Sequence, residues 1–262
     1  MRIRSWGGIA VAAIVAVSLT ACGDSTSPLP GSGQNVSLSF SGVRPAGISG
    51  AMTVLSGTGD TMVLASGEDT LRITSIEVVL REIELERASA SVSCDSTLDA
   101  DACEEISLGP QLVSLPLVPG VSAALTAPID SGSYRKVKFD VHKPGGDALD
   151  QAFIAAHPEF ATISIRVRGT FNGTPFTYTS ALDEEQEFTF DPPFVVDASG
   201  ASTSLTVRLD VSLWFRQSGS GALIDPATAN VGGVNEGVVQ ENIKNSIKAF
   251  EDHDRDGDER DG

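Results

Sequence analysis

Apolar and polar residues alternate one by one in several segments between residues 35 and 215, and no other pattern in the chain is as regular. The longest run sets six apolar side chains on one side, Leu205, Val207, Leu209, Val211, Leu213 and Phe215. The residues between them are Thr206, Arg208, Asp210, Ser212 and Trp214. Because successive side chains of a strand point to opposite faces, the run predicts a strand with one buried and one solvated face. Trp214 falls on the polar face, where it could stack on a sugar ring or a partner. The favoured alternative is that it covers a sheet face beneath the C-terminal helix.

Shorter alternating runs at 36–41, 137–141, 163–168 and 188–190 predict further strands. Asn172-Gly173 separates two such runs, and both residues tolerate the positive φ values of a type I′ turn. This dipeptide therefore predicts a β-hairpin. Asp191-Pro192-Pro193 cannot donate a full set of ladder hydrogen bonds, so it is expected to interrupt any central strand.

The segment from Thr70 to Ala88 fits two kinds of secondary structure. Apolar residues at 76, 79, 80 and 83 share one face of a helix, whereas those at 71 and 73 and at 83 and 85 alternate as in strands. β-branched residues are dense in its first half, which favours strands. We expect two strands or one long bent strand, with a helix as the alternative.

These patterns predict an all-β fold, and an antiparallel sandwich of seven to nine strands over residues 35–225 is the simplest architecture. An up-and-down barrel is the alternative. A helical extension is expected over 226–250, since Val239, Ile243, Ile247 and Phe250 recur at helical spacing.

The first 21 residues predict a secretory signal. Two arginines precede an apolar run from Ile9 to Leu19, which is too short to span a bilayer. The run ends in Leu19-Thr20-Ala21-Cys22, which resembles the lipobox of bacterial lipoproteins. That resemblance implies cleavage before Cys22 and acylation of its thiol. A plain signal peptide is the alternative.

Residues 22–34 read as a flexible tether rich in Ser, Pro and Gly. Gly23, rather than Asp, follows the lipobox cysteine, and by the lipoprotein sorting rule this favours the outer membrane. The expected partner is therefore a membrane, reached through the lipid anchor. The net charge of −17 argues against binding nucleic acid, which requires a basic surface.

Cys94 and Cys103 are the two remaining cysteines, and both lie in a polar stretch between predicted strands. An exported protein is in a compartment that permits disulfides, so the pair predicts a bridge closing a short loop. Redox or metal chemistry is the alternative, although the pair lacks CxxC spacing and a neighbouring histidine.

The last twelve residues, 251–262, form an acidic tail that contains Asp252, Asp254, Asp256 and Gly257 in the order D-x-D-x-D-G. This resembles the first half of an EF-hand calcium loop, in which alternate carboxylates meet on one cation and the glycine permits a sharp turn. Asp258 is a further candidate ligand. The twelfth position, a bidentate Glu in that family, would fall at residue 263. A solvated acidic tail is the alternative interpretation.

No nucleophile elbow, HExxH, Walker loop or dinucleotide fingerprint is present in the sequence. Residues 71–85, 132–144 and 204–215 are similar to a domain-of-unknown-function family of bacterial envelope lipoproteins. The resemblance implies a transthyretin-like or immunoglobulin-like sandwich and no activity.

The expected function is therefore a non-enzymatic, lipid-anchored binding or structural module of the cell envelope, with a glycan or a protein as its partner. A hydrolase acting on an envelope glycan with paired carboxylates is one alternative. A calcium-binding module is the other.

Overall fold

Strands make up most of the computed structural model, which describes residues 34–42, 54–56, 61–88, 109–129, 131–196, 203–252 and 257. The strands are β1 (Gln34–Ser41), β2 (Val54–Ser56), β3 (Met62–Ser66), β4 (Asp69–Arg87), β5 (Gln111–Ser114), β6 (Ser122–Ile129), β7 (Gly132–Val141), β8 (Ile165–Phe171), β9 (Thr174–Ser180), β10 (Glu184–Val196), β11 (Thr203–Leu209) and β12 (Ile247–Glu251). Two α-helices accompany them, α1 (Ala148–Ala156) and α2 (Glu236–Asn245). No helix within these ranges is both long enough and apolar enough to cross a bilayer.

The strands form two sheets. The smaller sheet has the order β12-β11-β1-β6, and the larger one contains the other eight strands. All of the pairings are antiparallel except that of β1 with β11, which run parallel. A parallel pair requires a long connection, and here nearly the whole fold lies between the two strands.

β4 is the strand around which the larger sheet is built. One of its edges pairs with β3 and β5, and the other pairs with β8 and β7. Its register shifts between Arg81 and Glu84, and Glu82 has a φ of 49°, so the strand bends there without ending. The prediction of one long bent strand over Thr70–Ala88 is confirmed.

One continuous hydrophobic cluster contains side chains from both sheets. It includes Phe40 and Leu205 of the smaller sheet and Leu71 and Phe139 of the larger. Two sheets that share one apolar core confirm the predicted β-rich, sandwich-like fold, although it has more strands than the seven to nine expected. All of the described residues belong to one compact unit, Gly31–Gly262.

The predicted hairpin is present. Asn172 and Gly173 join β8 to β9 and have φ values of 50° and 82°, as a type I′ turn requires. Asn172 also accepts a hydrogen bond from the backbone N–H of Thr70 at 2.8 Å, which attaches the turn to β4. The Asp191-Pro192-Pro193 segment lies within β10, where the β7–β10 register is interrupted between Thr189 and Phe194.

The long alternating run from Leu205 was only partly interpreted correctly. β11 ends at Leu209, and a 3₁₀ turn at Val211–Leu213 redirects the chain. Trp214 is fully buried, not exposed, and its indole N–H donates to the Ser246 hydroxyl at 2.8 Å. This geometry excludes sugar stacking by Trp214 and matches the other interpretation of this residue, as a cover beneath the C-terminal helix.

The polar faces of β1 and β11 were expected to be solvated, and this expectation is wrong. The polar side chains are also buried: Ser37, Ser39 and Ser41 on β1, and Ser204, Thr206 and Arg208 on β11. Small hydroxyl side chains permit close packing above a sheet. An alternation of apolar and polar residues therefore does not by itself show that the polar face of a strand is exposed to solvent.

The C-terminal helix is shorter than predicted. It ends at Asn245, and the chain then returns as β12, antiparallel to β11. Val239 and Ile243 are buried on the helix, whereas Ile247 and Phe250 are buried on the strand. Ile247 and Phe250 are three apart and therefore lie on opposite faces of β12, so their helical spacing was coincidental.

Candidate metal centre

The first aspartate of the D-x-D-x-D-G motif is fully buried at the end of β12. The backbone N–H of Asp252 donates to the carbonyl oxygen of Ser204 at 3.2 Å, so the β11–β12 ladder continues one residue beyond the strand. The carboxylate oxygen Oδ2 of Asp252 accepts the Thr206 hydroxyl at 2.7 Å. This residue was expected in a solvated tail or a calcium loop, and its complete burial contradicts the solvated-tail interpretation at this position.

Gly257, the sixth residue of the motif, folds back onto the same carboxylate. Its backbone N–H donates to Oδ2 of Asp252 at 3.1 Å, and its φ is 85°. A Cβ at this position would lie 3.0 Å from the hydroxyl oxygen of Ser41, so glycine is required by both conformation and space. The first and sixth residues of the motif are therefore joined by a hydrogen bond, and Gly257 has a positive φ.

The other carboxylate oxygen of Asp252, Oδ1, is buried and has no hydrogen-bond partner among the described residues. The hydroxyl oxygen of Ser204, a residue that is 6% exposed, is also buried and has no hydrogen-bond partner among the described residues. A buried polar atom without a partner is costly, typically about 1–3 kcal/mol, and proteins keep few of them. Two such atoms therefore lie at the same corner of the smaller sheet, one on β11 and one directly after β12.

The remaining predicted site residues lie outside the described residues. These are the lipidation residue Cys22, the proposed disulfide pair Cys94 and Cys103, and the motif aspartates Asp254, Asp256 and Asp258. Across the described ranges, no group of three or more His, Cys, Asp or Glu side chains is placed to hold a metal. Asp252 is thus the motif carboxylate whose geometry can be read directly.

A second acidic group lies on the larger sheet, where lysines of β7 are flanked by glutamates. Lys136 contacts Glu86 and Glu187 at 3.0 and 3.2 Å. Burial alone would raise the pKa of Glu86, but hydrogen bonds from Arg135 and Lys136 hold it below its usual value. Lysine and glutamate thus neutralise each other along this part of the sheet.

Asp140, two residues after Lys138 on β7, differs from these neutralised glutamates because its pKa is raised. Burial raises the pKa of Asp140, and the negative charges of Glu82 and Glu185 raise it further. A carboxyl with a raised pKa beside other carboxylates resembles the general acid of a glycosidase, so this group is relevant to the hydrolase alternative. Asp140 is only partly buried, unlike Asp252.

Sequence reasoning missed Ser204 and Thr206. Thr206 was counted as solvated with the rest of the polar face, and Ser204 precedes the alternating run that begins at Leu205. The signal that could have located them is the pairing of β11, which carries both hydroxyls, with β12, which leads into the acidic motif. The sequence did not reveal this pairing, because residues 247–250 were assigned to the C-terminal helix.

Comparison with known proteins gives no match: no family model, no curated protein and no solved structure is similar to the chain. The function proposed below is therefore inferred from the sequence and geometry of this chain.

Proposed function

We propose that the protein is a lipid-anchored module of the bacterial envelope that binds calcium at the loop beginning with Asp252. The observation that carries this proposal is the state of the Asp252 carboxylate. One of its oxygens is held by Thr206 and Gly257, and the other is buried without a partner. A carboxylate fixed on one side and free on the other is prepared to bind a cation.

The chemistry of the motif agrees with a hard cation. Calcium takes six to eight oxygen ligands, mainly carboxylates, carbonyls and water. The sequence supplies aspartates at the first, third and fifth positions of the loop, and the positive φ of Gly257 at the sixth position is compatible with a sharp turn there. Residues 251–262 contain seven acidic residues and only two arginines, so the tail is strongly negative. This charge favours divalent cations over anions.

Isothermal titration calorimetry of the full chain with calcium chloride tests the proposal. We expect binding with a dissociation constant of about 10⁻⁴ to 10⁻³ M, the range of extracellular calcium modules. The Asp252→Asn variant keeps the size of the side chain and one oxygen acceptor but loses the charge, and we expect it to bind at least about tenfold more weakly. Asp183→Asn is the matched control, because the Asp183 side chain is 76% exposed and far along the chain.

An Asp252→Asn protein that binds calcium as tightly as the unmodified chain would contradict the proposal. Equal weakening by Asp252→Asn and Asp183→Asn would point instead to diffuse attraction by net charge. Far-UV circular dichroism of each variant establishes that the titrated protein is folded.

The membrane part of the proposal rests on the lipobox. Acylation of Cys22 by two or three chains would hold the module stably at a bilayer, where one chain would give marginal binding. We expect Cys22→Ser to move the protein from the membrane fraction to the soluble fraction, and the N-terminal peptide of the unmodified protein to carry acyl mass. A Cys22→Ser protein that stays in the membrane fraction would contradict the anchor.

The two sheets with their common core support, at a coarser level, the immunoglobulin-like or transthyretin-like architecture that the envelope-lipoprotein resemblance implies. The outer membrane is the proposed location, and Gly23 after the lipobox supports it. An envelope glycan or protein stays the proposed partner of the anchored module.

A further inference from the structure

We infer that the smaller sheet itself contributes a ligand to the calcium site, the hydroxyl oxygen of Ser204. This inference rests on the proposed calcium function and adds a residue that lies far from the acidic motif in sequence. It makes the site a composite of a loop and a sheet, rather than a loop alone.

Ser204 lies beside Asp252 across the β11–β12 pair. Continuing the β11–β12 register by one residue sets Asp252 beside Ser204, and the hydrogen bond from Asp252 N–H to the Ser204 carbonyl oxygen shows that this continuation is real. Residues two apart on a strand share a face, so Ser204 lies on the same face as Thr206. The Thr206 hydroxyl contacts the Asp252 carboxylate, and therefore this face is the one that meets the motif.

Two unpaired oxygens are buried on that face. Ser204 is 6% exposed and Asp252 is fully buried, and neither Ser204 Oγ nor Asp252 Oδ1 has a hydrogen-bond partner among the described residues. Ser204 Oγ could donate to a carboxylate, but no hydrogen bond joins the two side chains in the described structure. A cation that accepts lone pairs from both oxygens would satisfy them together.

The other hydroxyls nearby differ from that of Ser204. Thr206 uses its hydroxyl as a donor to Oδ2 of Asp252, so it positions the carboxylate and its proton is engaged. Ser41, whose hydroxyl would meet a Cβ at Gly257, has an interaction of its own. Of the two hydroxyls on β11 whose burial is described, Ser204 and Thr206, Ser204 is the one without a partner.

The Ser204→Ala variant tests this inference. If the hydroxyl binds calcium, its removal lowers calcium affinity but does not destabilise the protein in EDTA. With EDTA we expect the melting temperature of the full chain to stay equal or rise, because an unpaired buried oxygen has been removed. With calcium chloride we expect the dissociation constant to increase about tenfold, as commonly found when a supporting metal contact is lost. Ser204→Thr keeps the hydroxyl and is expected to bind calcium within about threefold of the unmodified chain.

Ser37→Ala is the matched control, since Ser37 is the β1 neighbour of Ser204 in the register and is similarly buried. We expect it to change the melting temperature equally with EDTA and with calcium. Wild-type calcium affinity in Ser204→Ala, together with lost affinity in Asp252→Asn, would overturn this inference and leave the calcium function intact. Calcium binding unaffected by Asp252→Asn would overturn both. A Ser204→Ala protein whose melting temperature falls equally in both conditions would show a structural hydroxyl and overturn the inference.

Discussion

Replacing Trp214 by alanine will lower the free energy of unfolding by about 3–5 kcal/mol, the usual cost of removing a large aromatic side chain from a core. The side chain is fully buried and belongs to the continuous cluster that joins the two sheets. Its loss leaves a cavity under the end of α2, where Asn242 donates to the Trp214 carbonyl oxygen at 2.9 Å. Guanidinium unfolding followed by circular dichroism measures the change.

The neighbouring residue provides the control. Leu213 is 38% exposed, so Leu213→Ala is expected to cost less than about 1 kcal/mol. Trp214→Phe keeps most of the apolar volume and is expected to be intermediate, which keeps the test informative if the alanine variant does not fold. A loss below about 1 kcal/mol in Trp214→Ala would be inconsistent with an indole packed in the core.

The Gly169→Ala variant is expected to destabilise the larger sheet by about 3 kcal/mol or more, since overpacking against backbone leaves no side chain to rotate away. A Cβ at Gly169 would lie 1.9 Å from the carbonyl oxygen of Arg72 on β4. The β4–β8 register shifts beside this position, between Ile73 and Ser75, so the two strands approach closely here. Relief of the clash would require β8 to separate from β4.

Gly146→Ala is the matched substitution at a glycine with open space around it and no positive φ. It is expected to change stability by less than about 1 kcal/mol, and an increase is as reasonable as a loss, because alanine restricts the unfolded chain. The two variants are compared by the midpoint of guanidinium unfolding. Equal midpoints for both would mean that β4 and β8 do not approach as closely as described.

Local signals in the sequence predicted local structure well. Asn172-Gly173 specified its own turn, because few residues other than Asn and Gly tolerate two positive φ values in succession. Likewise, dense β-branched residues and alternating glutamates favoured strand over helix in what became β4. In both cases the deciding physics lies within a few residues of the chain.

Predictions of burial and chain path that depend on residues distant in sequence were less accurate. The burial of Ser37 and Thr206 depends on what packs over the sheet, and the path of the chain at Trp214 depends on α2, so neither follows from alternation. At the candidate site the motif beginning at Asp252 was visible in sequence, but its supporting hydroxyls were not. They come from β11, about 50 positions earlier, through a pairing that only the fold reveals.

The parallel pairing of β1 with β11 also means that the smaller sheet cannot be completed until late in synthesis. An N-terminal strand that emerges first can pair early with β6, but its other edge stays open until the final quarter of the polypeptide has been delivered. An unpaired strand edge can pair with strands of other chains, so a product truncated before β11 would be prone to aggregate. Delivery of β11 and then of β12 completes the smaller sheet.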